Sequence, residues 1–264
     1  MTGVTAVEQV VDGTAEPGPV GVVVTGAARG LGKAVAEAFA GEGAAVVAVD
    51  LHESVQDVAG ELGEGHRAVV GDVGDPSVLE QAFRLAAEIG GGLATLVLNA
   101  GVTSPGETAD FPVEEWDRVL SVNLRAAFTG AKAAYPHLGP GSSIVMVSSI
   151  CASLGFGARA AYCASKSGID GLVRALAVEW APAGVRVNAV APGTIATEMQ
   201  AAMVASGRIS NEGYVARIPM GRVGKPSEIA DAVVYLASPR ASYITGVVLP
   251  VDGGWANAGL PPNA

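Results

Sequence analysis

Seven short runs of β-branched and small apolar residues recur along the chain: VGVVV (20–24), AAVVAV (44–49), HRAVV (66–70), LATLVL (93–98), SIVMVS (143–148), VRVNAV (185–190) and GVVLPV (246–251). They are apolar almost throughout rather than alternating, the pattern of strands covered on both faces. Between them, mixed polar and apolar stretches predict helices over about 31–42, 53–62, 76–90, 112–136, 162–182 and 226–237. Asp75-Pro76 and Lys225-Pro226 put proline at a helix start, where its missing N–H does no harm. Strands alternating with helices imply parallel strands joined by right-handed crossovers, hence an α/β fold with a doubly wound parallel sheet flanked by helices. No repeat or second core interrupts the pattern, so residues 19–264 read as a single domain.

Two stretches fall outside the pattern. Residues 1–18 mix Gly, Thr, Glu and Pro without a period and read as a mobile N-terminal tail. Residues 194–221 form a long insertion with weak helical character, and loops of that length are usually functional or disordered. A substrate lid is expected over about 194–217, with Met199, Met203, Ile209 and Tyr214 closing over an apolar ligand.

Composition narrows the class. Half of the 264 residues are apolar, enough for one sizeable core. The net charge of −10 and the lack of any Lys/Arg run argue against a nucleic-acid partner. Cys151 and Cys163 form no CxxC pair, so neither zinc nor a redox framework is suggested, and both are expected to be small buried fillers. No basic segment followed by an apolar stretch opens the chain, and no apolar run is long enough to span a bilayer. A soluble, cytoplasmic protein without membrane partners is the expectation.

The first strand runs into TGAARGLGKAVAEAF, with glycines at 26, 30 and 32 before a helix. Small residues let backbone approach a pyrophosphate, and a helix N-terminus offers free N–H groups and a positive dipole end. A Walker loop fails, because Ala27 stands where its first Gly belongs and Ala34 where its Ser or Thr belongs. A dinucleotide site needs an acid about 20 residues further on, at the end of the second strand. Asp50 ends VVAVD there. Its carboxylate can accept hydrogen bonds from a ribose diol and repels a 2′-phosphate, and Leu51, not a basic residue, follows it. NAD is therefore expected over NADP.

Tyr162 and Lys166 in AAYCASK are four apart and share a helix face. A phenol with a pKa of about 10 is a poor base at neutral pH, and a nearby ammonium favours its phenolate form. The pair is thus a candidate general acid/base with its electrostatic activator. There is no GxSxG elbow, no HExxH and no carboxylate–histidine cluster, so neither a serine hydrolase nor a catalytic metal is expected. His52, His66 and His137 are scattered.

With these residues in hand, the chain resembles the short-chain dehydrogenase/reductase (SDR) family over about residues 19–255. TGAARGLG (25–32), DV (72–73), NAG (99–101), SVNL (121–124), SS (148–149), YCASK (162–166), PGTIAT (192–197) and GVVLPVDGG (246–254) follow in that family's order and spacing. The resemblance implies a Rossmann-like fold with a seven-stranded sheet, nicotinamide-dependent hydride transfer and a homotetramer. It assigns catalysis to Asn123, Ser149, Tyr162 and Lys166. Ser149 stands thirteen residues before Tyr162, at the end of a strand, with Ser148 facing the other way. The cofactor positions it implies are Gly26, Arg29, Gly30, Leu31, Gly32, Asp50, Asp72, Val73, Asn99, Ala100, Gly101, Tyr162, Lys166, Pro192, Gly193, Ile195 and Thr197. Substrate is expected against Ser149, Leu154, Phe156, Tyr162, Met199 and Met203. These liners favour an apolar, even cyclic, secondary alcohol or ketone over a highly charged one, while Arg159 and Arg217 leave room for an acidic substrate. The alternatives are a 3-oxoacyl-thioester reductase, which Asp50 opposes because that activity usually uses NADPH, and a non-catalytic nucleotide-sensing protein with the same fold.

Overall fold

A computed structural model of the chain describes residues 19–258 apart from 206, 208 and 209. The expectations for residues 1–18 and for Ile209 lie outside the described residues. The strands are β1 (Gly21–Thr25), β2 (Ala45–Asp50), β3 (Arg67–Val70), β4 (Leu93–Leu98), β5 (Ser143–Val147), β6 (Arg186–Pro192) and β7 (Val248–Val251). They form one parallel sheet in the order β3-β2-β1-β4-β5-β6-β7. Strand order reverses between β1 and β4, and in such sheets ligands sit at the carboxyl ends of the strands beside that point.

Period-two alternation sends successive strand side chains into two separate cores. On one face Val23, Leu96, Leu98, Ile144 and Met146 pack against α3 (Pro76–Gly90), α5 (Ala126–Ala134) and α6 (Ala160–Trp180). On the other, Val22, Val24, Val97, Val145 and Val147 pack against α1 (Gly30–Gly41), α2 (Val55–Leu62) and α9 (Pro226–Ala237). Because both faces are covered, the strands read as continuous apolar runs. Each fully buried side chain of this size contributes roughly 1.5–3 kcal/mol.

Side chains finish the helix ends. The Asp75 carboxylate accepts from the Ser77 N–H at 2.9 Å and caps α3, with Pro76 at its first position. Arg186 of β6 is buried. Its guanidinium donates to the Leu236, Ala237 and Ser238 carbonyls at 2.6, 2.7 and 3.2 Å, satisfying the orphan acceptors at the end of α9.

The expected helix over 112–136 is not continuous. It is α4 (Val113–Leu120), then a π-helical turn over Ser121–Arg125, then α5. The cause is tertiary: Asn123 is drawn inward by hydrogen bonds to another segment, and the extra residue of a π turn accommodates it. Residues 194–221 hold two short helices, α7 (Glu198–Ala205) and α8 (Asn211–Val215). No helix among the described residues is long and apolar enough to cross a membrane.

Candidate active site

The cofactor end is built on the β1–α1 turn. Gly30 opens α1 at φ +57°. A Cβ at Gly32 would lie 1.9 Å from the Gly26 carbonyl oxygen, so only glycine fits that contact. Asn99, just past β4, latches the turn: its Nδ2 donates to the Thr25 and Gly26 carbonyls at 2.9 and 3.0 Å. The Thr25 hydroxyl accepts in return from the Asn99 and Ala100 N–H groups and donates to the Val97 carbonyl. Gly101 continues that wall, facing the Asn123 Oδ1 and Lys166 Nζ atoms. Leu31 is half-buried against the core, whereas Arg29 is exposed. Lys33 is engaged elsewhere, by Glu61 at 2.5 Å and Glu37 at 3.9 Å.

Asp50 ends β2 beside this turn. Its Oδ2 accepts from the Ala28 N–H at 3.0 Å and its Oδ1 from the His52 N–H at 2.9 Å. Among the described residues it forms no ion pair, so its carboxylate keeps acceptor capacity for a diol. Asp72 is exposed and accepts from the Gly74 N–H, and Val73 is half-buried against the core. On the far side, Pro192 ends β6, Gly193 packs on Asp252, and the Ile195 backbone bridges to Gly224. Thr197 lies against Gly30, so the segment after β6 returns to the glycine turn. A cradle closed to any Cβ, an open helix N-terminus and a diol-accepting carboxylate fit a dinucleotide.

The catalytic end lies on α6. Tyr162 and Lys166 share a face, with Nζ 5.7 Å from the phenol ring centroid. Lys166 is 4% exposed and donates to the Val147 carbonyl at 2.7 Å. Burial pushes its ammonium down to about 8, against the upward pull of Cys151 and Asp170. Burial likewise drives the Tyr162 phenol up to about 12, and Cys151 adds to the rise. Two groups work against it, a polar contact with the Ser149 hydroxyl and the Arg159 charge. Lowering of the phenol was expected from Lys166; the groups that pull it down are Ser149 and Arg159, and burial outweighs both.

Ser149 is not in the strand but two residues beyond β5, where its hydroxyl accepts from the Cys151 N–H at 3.1 Å and caps a 3-10 turn over Ile150–Ala152. Ser148 turns away and donates to Asp170 Oδ1 at 2.5 Å. Asn123 is 2% exposed. Its Oδ1 accepts from the Val102 N–H at 2.8 Å, and its Nδ2 donates to the Val102 carbonyl and to the Ser165 hydroxyl. Ser165 in turn donates to the Tyr162 carbonyl at 2.7 Å. Asn123, Ser149 and the α6 pair Tyr162 and Lys166 are therefore brought to one place from three segments. The arrangement can hold a substrate oxygen and exchange a proton with it. The Thr103 hydroxyl, next along the chain from Val102, is buried without a partner among the described residues.

The substrate side is a small apolar cluster. Ile150, Ile218 and Trp255 are buried, and Leu154, Phe156 and Tyr214 pack on them. The Trp255 ring stands 5.7 Å from Phe156 and 5.3 Å from Tyr214. Met199 is 47% exposed and lies outside this cluster. Met203 contacts the Arg159 guanidinium at 4.0 Å. Sequence reasoning missed Trp255, which no motif marks, and Asp170, whose signal was its place four residues after Lys166. It also set aside the cysteines. Both are free, and the buried Cys151 thiol, raised chiefly by burial, is in polar contact with Ser149 and Cys163.

Comparison with known proteins follows this geometry. A family model described as enoyl-(acyl carrier protein) reductase matches residues 26–256. The chain is 41% identical over 173 residues to an uncharacterized short-chain type dehydrogenase/reductase, y4vI, of Sinorhizobium fredii; the match covers 65% of this chain but only 32% of that longer protein. It is 39% identical over 184 residues to 2,5-dichloro-2,5-cyclohexadiene-1,4-diol dehydrogenase LinX of Sphingobium indicum, covering 69% of this chain and 72% of that one. It is 38% identical over 235 residues to 3-oxoacyl-(acyl-carrier-protein) reductase FabG of Vibrio cholerae, covering 88% and 95%. A crystal structure of 3-ketoacyl-(acyl-carrier-protein) reductase from Brucella melitensis complexed with NADH is similar at a TM-score of 0.84 and 33% identity, over 91% of this chain and 100% of that one.

Proposed function

Because this chain belongs to the short-chain dehydrogenase/reductase family of oxidoreductases, we propose that it is an NAD(H)-dependent enzyme interconverting a secondary alcohol and its ketone. The observation that carries the reading is the convergence of Asn123, Ser149, Tyr162 and Lys166 beside the glycine turn. When bound, the nicotinamide dinucleotide supplies the hydride acceptor or donor. Gly26, Gly30 and Gly32 would cradle its pyrophosphate, and Asp50 its adenosine ribose. The chain's own residues handle the proton. The Ser149 hydroxyl holds the substrate oxygen against the Tyr162 phenol. In oxidation Tyr162 takes the hydroxyl proton, and in reduction it returns it. The Ser149 hydroxyl and the Arg159 charge favour the phenolate form that oxidation needs, and the Lys166 ammonium stands 5.7 Å from the ring. Asn123 steadies the start of α6 through Ser165 and supports the proton path past Lys166.

The free carboxylate of Asp50 supports NAD over NADP, as does the similarity to a structure containing NADH. The Leu154–Phe156–Trp255 cluster supports an apolar substrate body, and a relative that acts on a ring diol supports a cyclic one. A second reading, 3-oxoacyl-thioester reduction, is favoured by the long match to FabG. Exposed Phe128 and Val178, on α5 and α6, support assembly of copies through these helices into a homotetramer, which light scattering tests. The deciding experiment is NAD and NADP titration followed by turnover of a panel of cyclic alcohols, ketones and 3-oxoacyl thioesters. Thioester reduction with NADPH alone would replace the first reading by the second. Binding without any turnover would leave a nucleotide sensor.

A further inference from the structure

Among the described arginines that are not exposed, Arg159 stands apart. It stands directly before α6, three residues ahead of Tyr162, and is half-buried. The arginines Arg118 and Arg222 have carboxylate partners, Glu115 and Glu228. Buried Arg186 is surrounded by backbone carbonyls. Arg159 has neither. Its guanidinium lies 5.7 Å from the Phe156 ring centroid, and a single nitrogen, Nη2, donates to the Tyr214 hydroxyl at 2.9 Å and touches the Met203 sulfur at 4.0 Å. Among the described residues no carboxylate pairs with it. A guanidinium carries five N–H donors in a planar fork, so most of its hydrogen-bonding capacity is unspent.

A charge held among aromatic and thioether surfaces is costly without a counter-ion. The backbone is nonetheless arranged to put it there. Ala158 has φ +56°, the one non-glycine residue with positive φ among the described residues, and its carbonyl accepts from the Gly106 N–H at 2.9 Å. That kink joins the loop after β4 to the start of α6 and delivers Arg159 to the wall shared with Tyr162. The charge is felt there: it works against the burial that raises the Tyr162 phenol and the Cys151 thiol. The lid side of the same group is closed by Tyr214 and Met203.

We propose that Arg159 is the specificity-determining residue of the pocket and receives a substrate carboxylate, so that the preferred substrates are hydroxy or oxo acids with a compact apolar body. The inference rests on the dehydrogenase reading for its hydroxyl end, whereas the anion subsite stands on the guanidinium itself. The carboxylate takes the unused face of the fork, the apolar body lies on Phe156 and Leu154, and the reacting oxygen meets Ser149 and Tyr162. Arg159 at the N-cap of α6 and Tyr162 in its first turn are close enough to meet two ends of one small molecule. The apolar liners and the cation, which point to opposite substrates when taken separately, then describe two ends of one ligand.

The test uses calorimetric titration of the full chain, with and without NADH, by cyclohexanecarboxylate and by its neutral isostere cyclohexanecarboxamide. The expected result is that the acid binds at least about tenfold tighter than the amide, that Arg159→Met weakens the acid by about 30-fold, and that Arg159→Lys recovers part of the loss without the bidentate geometry. Equal binding of acid and amide, an acid affinity indifferent to the Met variant, or no detectable binding of the acid overturns the proposal. If Arg159→Met does not fold, the acid–amide contrast in the wild type and the Lys variant still decide it. Turnover of 4-hydroxycyclohexanecarboxylate against 4-methylcyclohexanol separates the two claims. Arg159-dependent acid binding with no oxidation of either leaves the anion site and sinks the dehydrogenase reading. Oxidation of both, with acid binding blind to Arg159, does the reverse.

Discussion

The glycine turn after β1 and the apolar cluster around Trp255 are built in opposite ways. The turn is made of backbone, with a Cβ at Gly32 excluded by 1.9 Å contact and the Asn99 amide fastening it to β4. The cluster is made of side chains: three buried residues, with the half-buried Phe156 and Tyr214 rings tilted against Trp255. A group common to many enzymes is held by backbone, which leaves little freedom. On the proposed reading a particular substrate is met by side chains, which can be exchanged without disturbing the sheet.

The largest effect is expected at the seam between the two regions. Tyr162→Phe should cut turnover by roughly 10²–10⁴ while NADH binding, followed by nicotinamide fluorescence, changes little. In the wild type the rate of alcohol oxidation should climb with pH through the neutral and alkaline range. The Tyr162 phenol titrates high, at about 12, so its proton-accepting form grows as pH rises, and ketone reduction should show the opposite trend. A flat oxidation profile would remove Tyr162 from the base's role.

Next comes the turn. Gly32→Ala forces a Cβ against the Gly26 carbonyl, and NADH affinity should fall by about 100-fold, roughly 3 kcal/mol, in a fluorescence titration. Unchanged affinity would show that the turn has the give attributed only to the pocket.

Lys166→Met should abolish activity yet raise thermal stability. Burial lowers the folded-state value from 10.5 to about 8. Between those values the unfolded chain holds the proton and the folded chain does not, so wild-type stability rises with pH across that window. Below pH 8 the cost of the buried ammonium is present in full, an upper bound of about 3 kcal/mol less whatever the Val147 hydrogen bond returns. The excess melting temperature of Lys166→Met should therefore be greatest below pH 8 and vanish near pH 10.5. A calorimetric scan at pH 6 to 10.5 checks both the sign and the window.

Asp50→Ala should erode the preference for NAD over NADP by about tenfold, read as a ratio of kcat/KM. The smallest effect belongs to the pocket: Phe156→Ala should cost about 1–2 kcal/mol in stability, shift KM and leave NADH binding alone. A loss of cofactor binding in that variant would mean that the two regions are coupled.

Much of the architecture was legible in the order of residues. The strand runs and five of the helices fall within a few positions of where periodicity puts them, because a sheet covered on both faces demands continuous apolar segments. The glycine turn, Asp50 and the Tyr162–Lys166 pair were legible for the same reason: each is a short-range constraint of fixed spacing. What escaped depends on contacts across long separations. The π turn at Asn123 arises from hydrogen bonds to Val102, twenty-one residues away. Trp255 joins Phe156 from the other end of the chain. In the sequence Arg159 leaves room for an acidic substrate, but its place is set by the Tyr214 hydroxyl fifty-five residues on and by the Ala158 carbonyl before it, which accepts from the Gly106 N–H.

The amino-acid order alone determined the layered sheet, the glycine turn and the spacing of phenol and ammonium, since these follow from local geometry and burial of apolar faces. Only the tertiary structure decided how those groups are tuned. Burial drives Tyr162 up and Lys166 down, and the groups that pull Tyr162 back, Ser149 and Arg159, come from the turn after β5 and the residue that opens α6. Desolvation and charge depend on what surrounds a group in space, and here the fold, not the sequence spacing alone, brings Ser149, Cys151 and Arg159 against the phenol.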